Sequence, residues 1–136
     1  MRLVVDTNII ISALIKDSTT RYIITHIAAE LITISFSEKE LSKYRAMILE
    51  KTNITSAELE AILGKIREKM VLLDDSIIQR NMLEASKIMD NIDPNDTPFI
   101  AAALATISDI WSDDKHFERQ NKIKIWKTKA LEKECG

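Results

Sequence analysis

The first eleven residues place one acidic residue between two apolar runs. Residues 3–5 are apolar, Asp6 follows at once, and residues 9–11 are three isoleucines. The first run is typical of a short buried strand and the second of a helix, so we expect Asp6 at the carboxyl end of a strand. Burying a carboxylate is costly unless it has a partner, and ligands bind at that edge of an open parallel sheet. Asp6 is therefore either a helix cap or a functional acid.

Short apolar runs alternate with longer segments of helical period along the chain. The predicted strands are residues 3–5, 31–36, 110–111 and 123–126, with residues 70–73 either a short strand or a helix end. The predicted helices are residues 7–15 and 21–29 with a polar turn at residues 16–20 between them, a helix capped by Ser37, residues 56–69, 76–89 and 97–105, and a charged C-terminal helix. This α/β alternation predicts a central, mostly parallel sheet covered on both faces, a three-layer α/β/α sandwich that forms one domain over residues 1–136.

The composition is that of an ordinary globular protein and leaves the function open. Apolar residues make up 46% of the chain and charged residues 29%, and 136 residues are enough for one core. The chain has no run of 18 apolar residues, and its one cysteine, Cys135, has no partner for a disulfide, so we expect a cytoplasmic protein. The net charge of −2 argues against a basic nucleic-acid coat protein but is compatible with a nuclease whose carboxylates hold cations.

Three further acids occupy positions comparable to that of Asp6. Asp114 follows the predicted strand at residues 110–111, whereas Glu40 and Asp96 lie at the starts of helices. In a parallel sheet these positions share one edge, so we expect the four side chains to meet there. Clustered carboxylates repel one another unless cations neutralise them, and Mg²⁺ or Mn²⁺ suits oxygen ligands of this kind. Such cations activate water for the hydrolysis of a phosphodiester.

Each of these acids also has an ordinary structural interpretation. Residues 37–40 match a capping box, in which Glu40 bonds the backbone of Ser37. Asp96 precedes a helix of small residues as an N-cap would, and Asp114 lies in a polar turn. Taken singly, each interpretation competes with a metal site, but four acids on one edge favour the metal site.

The same residues give the chain a resemblance to the PIN-domain family of metal-dependent nucleases over nearly its whole length. The resemblance rests on Val5-Asp6-Thr7-Asn8, Glu40-Leu41, Asp96 with the helix at residues 99–105, and Trp111-Ser112-Asp113-Asp114-Lys115-His116-Phe117. It implies that Asp6, Glu40, Asp96 and Asp114 form a catalytic site for Mg²⁺ or Mn²⁺, supported by Asn8 and Ser112.

Neighbouring acids leave alternatives open within this site. Asp113 stands where the family usually has a small residue, so either Asp113 or Asp114 can point inward, and the register favours Asp114. Either Glu38 or Glu40 can be the inward-pointing glutamate of the site. Glu40 is preferred because it lies on the inner face of the predicted helix. Asp93 resembles an additional acid found beside the metal ligands in some members of the family.

The resemblance implies a divalent-metal-dependent endoribonuclease that hydrolyses single-stranded RNA. Many members of the family are toxins of toxin–antitoxin pairs that a partner protein blocks, and the resemblance also implies a homodimer. An RNA-processing nuclease, a nuclease acting on DNA and a non-catalytic PIN-like binding module are the alternatives.

The two histidines of the chain are not expected to bind the metal. His26 and His116 lie far apart in the sequence, which argues against a histidine-ligated site. His26 is expected on a helix surface, and His116 lies close enough to Asp114 to reach a substrate phosphate.

Overall fold

The computed structural model describes residues 1–15 and 18–135, which contain a five-stranded sheet and nine α-helices. The strands are β1 (Arg2–Val5), β2 (Glu30–Thr33), β3 (Met70–Leu72), β4 (Asp109–Trp111) and β5 (Ile125–Trp126). The helices are α1 (Thr7–Ile15), α2 (Ser18–His26), α3 (Ser35–Lys43), α4 (Arg45–Thr52), α5 (Ser56–Glu68), α6 (Asp75–Arg80), α7 (Met82–Met89), α8 (Thr97–Thr106) and α9 (Thr128–Glu134). Two short 3-10 helices, Pro94–Asp96 and Lys115–Arg119, precede α8 and follow β4.

All five strands are parallel and lie in the order β3-β2-β1-β4-β5. From β1 the chain adds β2 and β3 on one side of the sheet. It then adds β4 and β5 on the other side of β1, so the direction in which strands are added reverses between β1 and β4. Ligands of open α/β sheets bind in the crevice at such a switch point. Asp6 directly follows β1 at this switch point, and its N–H donates to the carbonyl of Trp111 at the end of β4 (3.0 Å).

The strands bury side chains on both faces, as their continuous apolar runs require. On one face, Leu3 and Val5 pack with residues of α1 to α5 and of α9. On the other face, Val4 and Ile110 pack with residues of α6, α7 and α8. The predicted three-layer α/β/α sandwich with a parallel sheet is therefore confirmed.

The boundary between β2 and α3 differs from the prediction. β2 ends at Thr33, so the end of the predicted strand at residues 31–36 is already helical. The N-cap position is Ile34, which makes no side-chain cap, and Ser37 lies inside the first turn, so the predicted cap at Ser37 is wrong. Ile34, Ser37 and Leu41 are buried at a helical spacing, and this packing overrides the strand preference of the isoleucine- and threonine-rich segment.

Other boundaries differ in smaller ways. α2 begins at Ser18, so the predicted polar turn at residues 16–20 ends in helix, while residues 16 and 17 lie outside the described residues. The predicted helix at residues 76–89 is divided into α6 and α7 at Asn81, whose side chain donates to the carbonyl of Ile77 (3.0 Å). Within the described ranges, none of the helices has the length and apolar character needed to cross a membrane.

Candidate metal centre at the carboxyl end of the sheet

Asp6 is a buried carboxylate with other acids as neighbours. Only 4% of its surface is exposed. The Ser112 hydroxyl donates to its Oδ2 (2.7 Å), and the backbone of Asn8 also hydrogen-bonds the carboxylate. Burial raises the pKa of Asp6 to about 6 despite these hydrogen bonds, and the charges of Asp114 and Glu40 add to the increase. Asn8 contacts Asp6 through its backbone, and its side chain is exposed.

Ser112 connects Asp6 to Asp114. Its buried hydroxyl donates to Asp6 and accepts the backbone N–H of Asp114 (3.0 Å). Asp114 Oδ1 accepts the backbone N–H of His116 (2.9 Å) and so caps the 3-10 helix Lys115–Arg119. Asp114 therefore has a structural role in the polar turn and at the same time lies near the other acids.

Thr7 holds Glu40 in place through a contact that no pattern in the sequence predicts. The Thr7 hydroxyl, which is buried, donates to Glu40 Oε1 (2.7 Å) and lies 3.0 Å from the Ser37 hydroxyl. The capping-box interpretation of Glu40 is wrong, because the Ser37 N–H donates to the Ile34 carbonyl within the helix (3.0 Å). Glu40 is therefore anchored to the residue that follows Asp6.

Asp96 is a buried acid with one unpaired oxygen. It occupies the N-cap position of α8, but its side chain makes no capping hydrogen bond, so the N-cap interpretation is wrong. Its Oδ2 is buried and has no hydrogen-bond partner among the described residues. Burial raises the pKa of Asp96 to about 7, the charges of Asp93, Asp6 and Asp114 contribute in the same direction, and His116 opposes them.

His116 lies among three carboxylates. Its Nδ1 is 3.2 Å from Asp93 Oδ2, 3.6 Å from Asp114 Oδ1 and 3.7 Å from Asp96 Oδ2. His116 is far from His26 in the sequence, but one potential ligand atom each of Asp93, Asp96 and His116 lies within 4.8 Å of the other two. The only signal in the sequence was its position two residues after Asp114. His26, in contrast, bonds the Tyr22 carbonyl within its own helix (2.9 Å).

The two rival acids are bound elsewhere. The Asp113 carboxylate accepts the N–H (2.8 Å) and the hydroxyl (2.6 Å) of Thr128 at the start of α9. Glu38 forms a two-pronged ion pair with Arg67 (2.6 and 3.1 Å). Asp114 and Glu40 are therefore the acids of these two pairs that lie near Asp6.

The residues at this edge fit a divalent cation. The structure brings Asp6, Asp96 and Asp114 within electrostatic range of one another and places Glu40 within range of Asp6. The buried, unpaired Oδ2 of Asp96 and the raised pKa values of Asp6 and Asp96 are features that a bound cation would relieve. An open cleft of about 230 Å³, lined by Asn8, Ile9, Ser12, Asp113 and Asp114, adjoins the group.

Comparisons with known proteins agree with this geometry. The model of the PIN domain family matches residues 4–135, and the chain therefore belongs to the PIN domain family, which in general consists of nucleases. No curated protein matches the sequence. A solved structure with a similar fold is a chain of the VapBC2 crystal structure from Rickettsia felis, bound to a DNA fragment from the promoter. The TM-score is 0.69 at 15% identity, over 93% of this chain and 98% of that chain, a likeness that shows the fold.

Proposed function

We propose that this chain is a divalent-metal-dependent endoribonuclease that hydrolyses phosphodiester bonds of single-stranded RNA. The observation that carries the proposal is the buried, unpaired Oδ2 of Asp96 among other carboxylates. Such an arrangement is costly unless a cation occupies it. In this proposal the ligands of Mg²⁺ or Mn²⁺ are Asp6, Glu40, Asp96 and Asp114.

The residues around the four acids orient them for hydrolysis. The cation, when bound, supplies the positive charge that activates water and stabilises the phosphate as charge develops on it. Ser112 fixes Asp6 through its hydroxyl, and Thr7 fixes Glu40 in the same way. Asn8 supports Asp6 from the backbone, and its exposed side chain lines the cleft through which an RNA strand can approach. Hydrolysis would leave 5′-phosphate and 3′-hydroxyl ends.

Cleavage of an end-labelled single-stranded RNA tests the proposal. We expect cleavage with Mg²⁺ or Mn²⁺, none with EDTA, and a loss on the order of a hundredfold or more in Asp6→Asn. Asp109→Asn is the matched control. Asp109 lies at the amino end of β4, opposite the proposed metal site, and accepts a hydrogen bond from Trp126 Nε1 (2.8 Å).

Undiminished cleavage by Asp6→Asn would refute the site. A DNA strand of matched sequence distinguishes the two nucleic acids, and faster cleavage of DNA than of RNA would refute the substrate. Metal binding without cleavage of either strand would favour a non-catalytic binding module.

We also propose that this nuclease is the toxin of a toxin–antitoxin pair. The similar chain of known structure comes from a complex, VapBC2, that was crystallised on promoter DNA. In the present chain, a groove of about 460 Å³ between α2 and α5 has apolar residues Ile24, Ile62 and Ile66 and basic residues Lys65 and Lys69 among its walls. Such a groove suits an acidic amphipathic segment of a partner protein.

Co-expression with the product of an adjacent reading frame tests this partnership. We expect the two proteins to co-purify and the partner to inhibit cleavage, and we expect Lys65→Glu/Lys69→Glu to weaken the complex. Lys43→Glu/Lys51→Glu, which makes the same charge change outside the groove, should leave it intact. Failure of the two proteins to bind each other would refute the antitoxin. Sedimentation of the isolated chain tests the homodimer that the family resemblance implies.

A further inference from the structure

We propose that His116 is a direct ligand of a cation, and that its Nδ1 forms with Asp93 and Asp96 a mixed nitrogen–oxygen site that selects Mn²⁺ over Mg²⁺. The site shares Asp96 with the four-acid group, so this inference rests on the metal centre of the proposed function. The inference adds His116 and Asp93 to the four proposed ligands, and it specifies Mn²⁺ as the preferred cation.

The geometry brings three donor atoms together from two separate segments. Nδ1 of His116 lies 3.2 Å from Asp93 Oδ2 and 3.7 Å from Asp96 Oδ2. Neighbouring ligands of a six-coordinate cation with bonds of about 2.1 Å are roughly 3 Å apart, so only small movements would close the site. Asp93 is held for this role, because its Oδ1 accepts the N–H of Asn95 (2.9 Å) and leaves Oδ2 facing the imidazole.

Asp96 gives the independent sign that a ligand belongs here. Only 9% of this residue is exposed, and its Oδ2 has no hydrogen-bond partner in the described part of the chain. This oxygen is the atom that faces Nδ1 of His116. A buried acceptor without a partner is costly, and a cation bound between Asp96 and His116 would satisfy it.

The imidazole determines which cation the site prefers. Mg²⁺ takes oxygen ligands and keeps several waters, and it gains little from a nitrogen donor. Imidazole binds first-row transition metals more readily than it binds Mg²⁺, so one nitrogen donor shifts the preference away from Mg²⁺. The carboxylates that make up the rest of the site suit Mn²⁺. His116 is 48% exposed, which leaves room for water in the remaining coordination positions.

Electron spin-echo spectroscopy of Mn²⁺ bound to the full chain, prepared without a polyhistidine tag, tests the proposal directly. A coordinated imidazole nitrogen modulates the Mn²⁺ echo, and the chain has only two histidines. We expect the nitrogen modulation in the wild type and in the control His26→Gln, and its loss in His116→Gln. Labelling histidine with ¹⁵N should change the modulation, which identifies histidine as its source.

Calorimetric titration provides a second measurement. We expect His116→Gln to weaken Mn²⁺ binding about tenfold or more while Mg²⁺ binding changes little. Asp93→Asn should weaken Mn²⁺ binding in the same direction. Equal losses for both cations would overturn the selectivity, since they would indicate a general effect on the site.

The possible results separate this proposal from the proposed function. Mn²⁺ bound without nitrogen modulation, or with modulation that persists in His116→Gln, overturns the assignment of His116 while leaving the four-acid centre intact. Nitrogen modulation in a protein that cleaves no RNA supports the assignment and refutes the proposed function. A complete lack of Mn²⁺ binding overturns both.

Discussion

The acidic residues at the two ends of the parallel sheet have opposite kinds of neighbours. At the amino end, Asp109 of β4 accepts a hydrogen bond from Trp126 Nε1 (2.8 Å), and Glu30 of β2 faces Arg2 (3.8 Å). At the carboxyl end, Asp6 and Asp96 are buried with other acids as charged neighbours. One end therefore satisfies its charges within the chain, and the other leaves a deficit of positive charge.

The distribution of unpaired polar atoms follows the same division. Within the described ranges, the buried side-chain oxygens without a hydrogen-bond partner are Thr33 Oγ1 and Asp96 Oδ2. Thr33 is the last residue of β2, so both atoms lie towards the carboxyl end. Buried polar atoms without a partner cost stability, and a cation bound at this edge, as proposed, would satisfy the oxygen of Asp96.

The largest expected effect is the stabilisation of the carboxyl end by a cation. A ligand at a hundred times its dissociation constant stabilises the folded state by about 2.7 kcal/mol. We expect Mn²⁺ to raise the melting temperature of the wild type and of Asp109→Asn alike, because Asp109 is paired at the other end. Asp6→Asn should lose most of the shift. An equal shift in Asp6→Asn would place the cation elsewhere.

Without metal, the carboxyl end should make the protein less stable as the pH rises. The pKa values of Asp6 and Asp96 are raised from 3.8 to about 6 and about 7. The folded state therefore keeps these protons when the unfolded chain has lost them, and the free energy of unfolding falls as the pH rises from about 4 to about 7. Asp96→Asn removes one of the two charges, so with EDTA at pH 8 it should be more stable than the wild type by about 1–2 kcal/mol.

Urea denaturation at pH 5 and pH 8 measures this effect. The stability of Asp96→Asn should fall less between the two values than that of the wild type. Asp109→Asn should show no gain at pH 8, because its carboxylate is hydrogen-bonded at the amino end. An Asp96→Asn protein that is less stable than the wild type at pH 8 would show that the charge of Asp96 is already compensated.

The acids of the carboxyl end were predictable from sequence because each is tied to a local signal. Asp6 and Asp114 follow apolar runs that form strands, and Asp96 precedes a helix of small residues. Parallel topology then places these positions on one edge. The fold class was predictable for the same reason, since a strand buried on both faces gives a continuous apolar run.

The contacts between distant segments were not predictable from local signals. His116 lies near Asp93 and Asp96 although it is 20 or more residues from them in the sequence, and no periodicity marks this approach. Thr7 at the start of α1 bonds Glu40 in α3, 33 residues away, and no local pattern predicts this contact. The start of α3 was not predictable either. Packing of that helix against the core decides its start, and such packing depends on the whole fold.

Thr7→Val should have a smaller effect on stability and metal binding. It tests whether a buried hydrogen bond at the site contributes more than an exposed hydrogen bond elsewhere in the chain. The change removes the hydroxyl that donates to Glu40, so we expect a loss of about 1 kcal/mol in the free energy of unfolding and weaker Mn²⁺ binding. Thr25→Val is the control, because the Thr25 hydroxyl bonds the Arg21 carbonyl on an exposed helix surface (2.8 Å). Equal metal affinity in Thr7→Val and the wild type would separate Glu40 from the cation.

Glu38→Gln should have the smallest effect, because Glu38 is paired within the chain as the acids of the amino end are. Glu38 and Arg67 form an exposed ion pair, which raises the pKa of the Arg67 guanidinium, and such pairs contribute about 0.5 kcal/mol. Glu40→Gln, two residues along the same helix, should instead weaken Mn²⁺ binding, since Glu40 lies within range of Asp6. Titration of both variants with Mn²⁺ compares an acid that is paired within the chain with a proposed metal ligand. A larger loss of affinity in Glu38→Gln would reverse the assignment of the two glutamates.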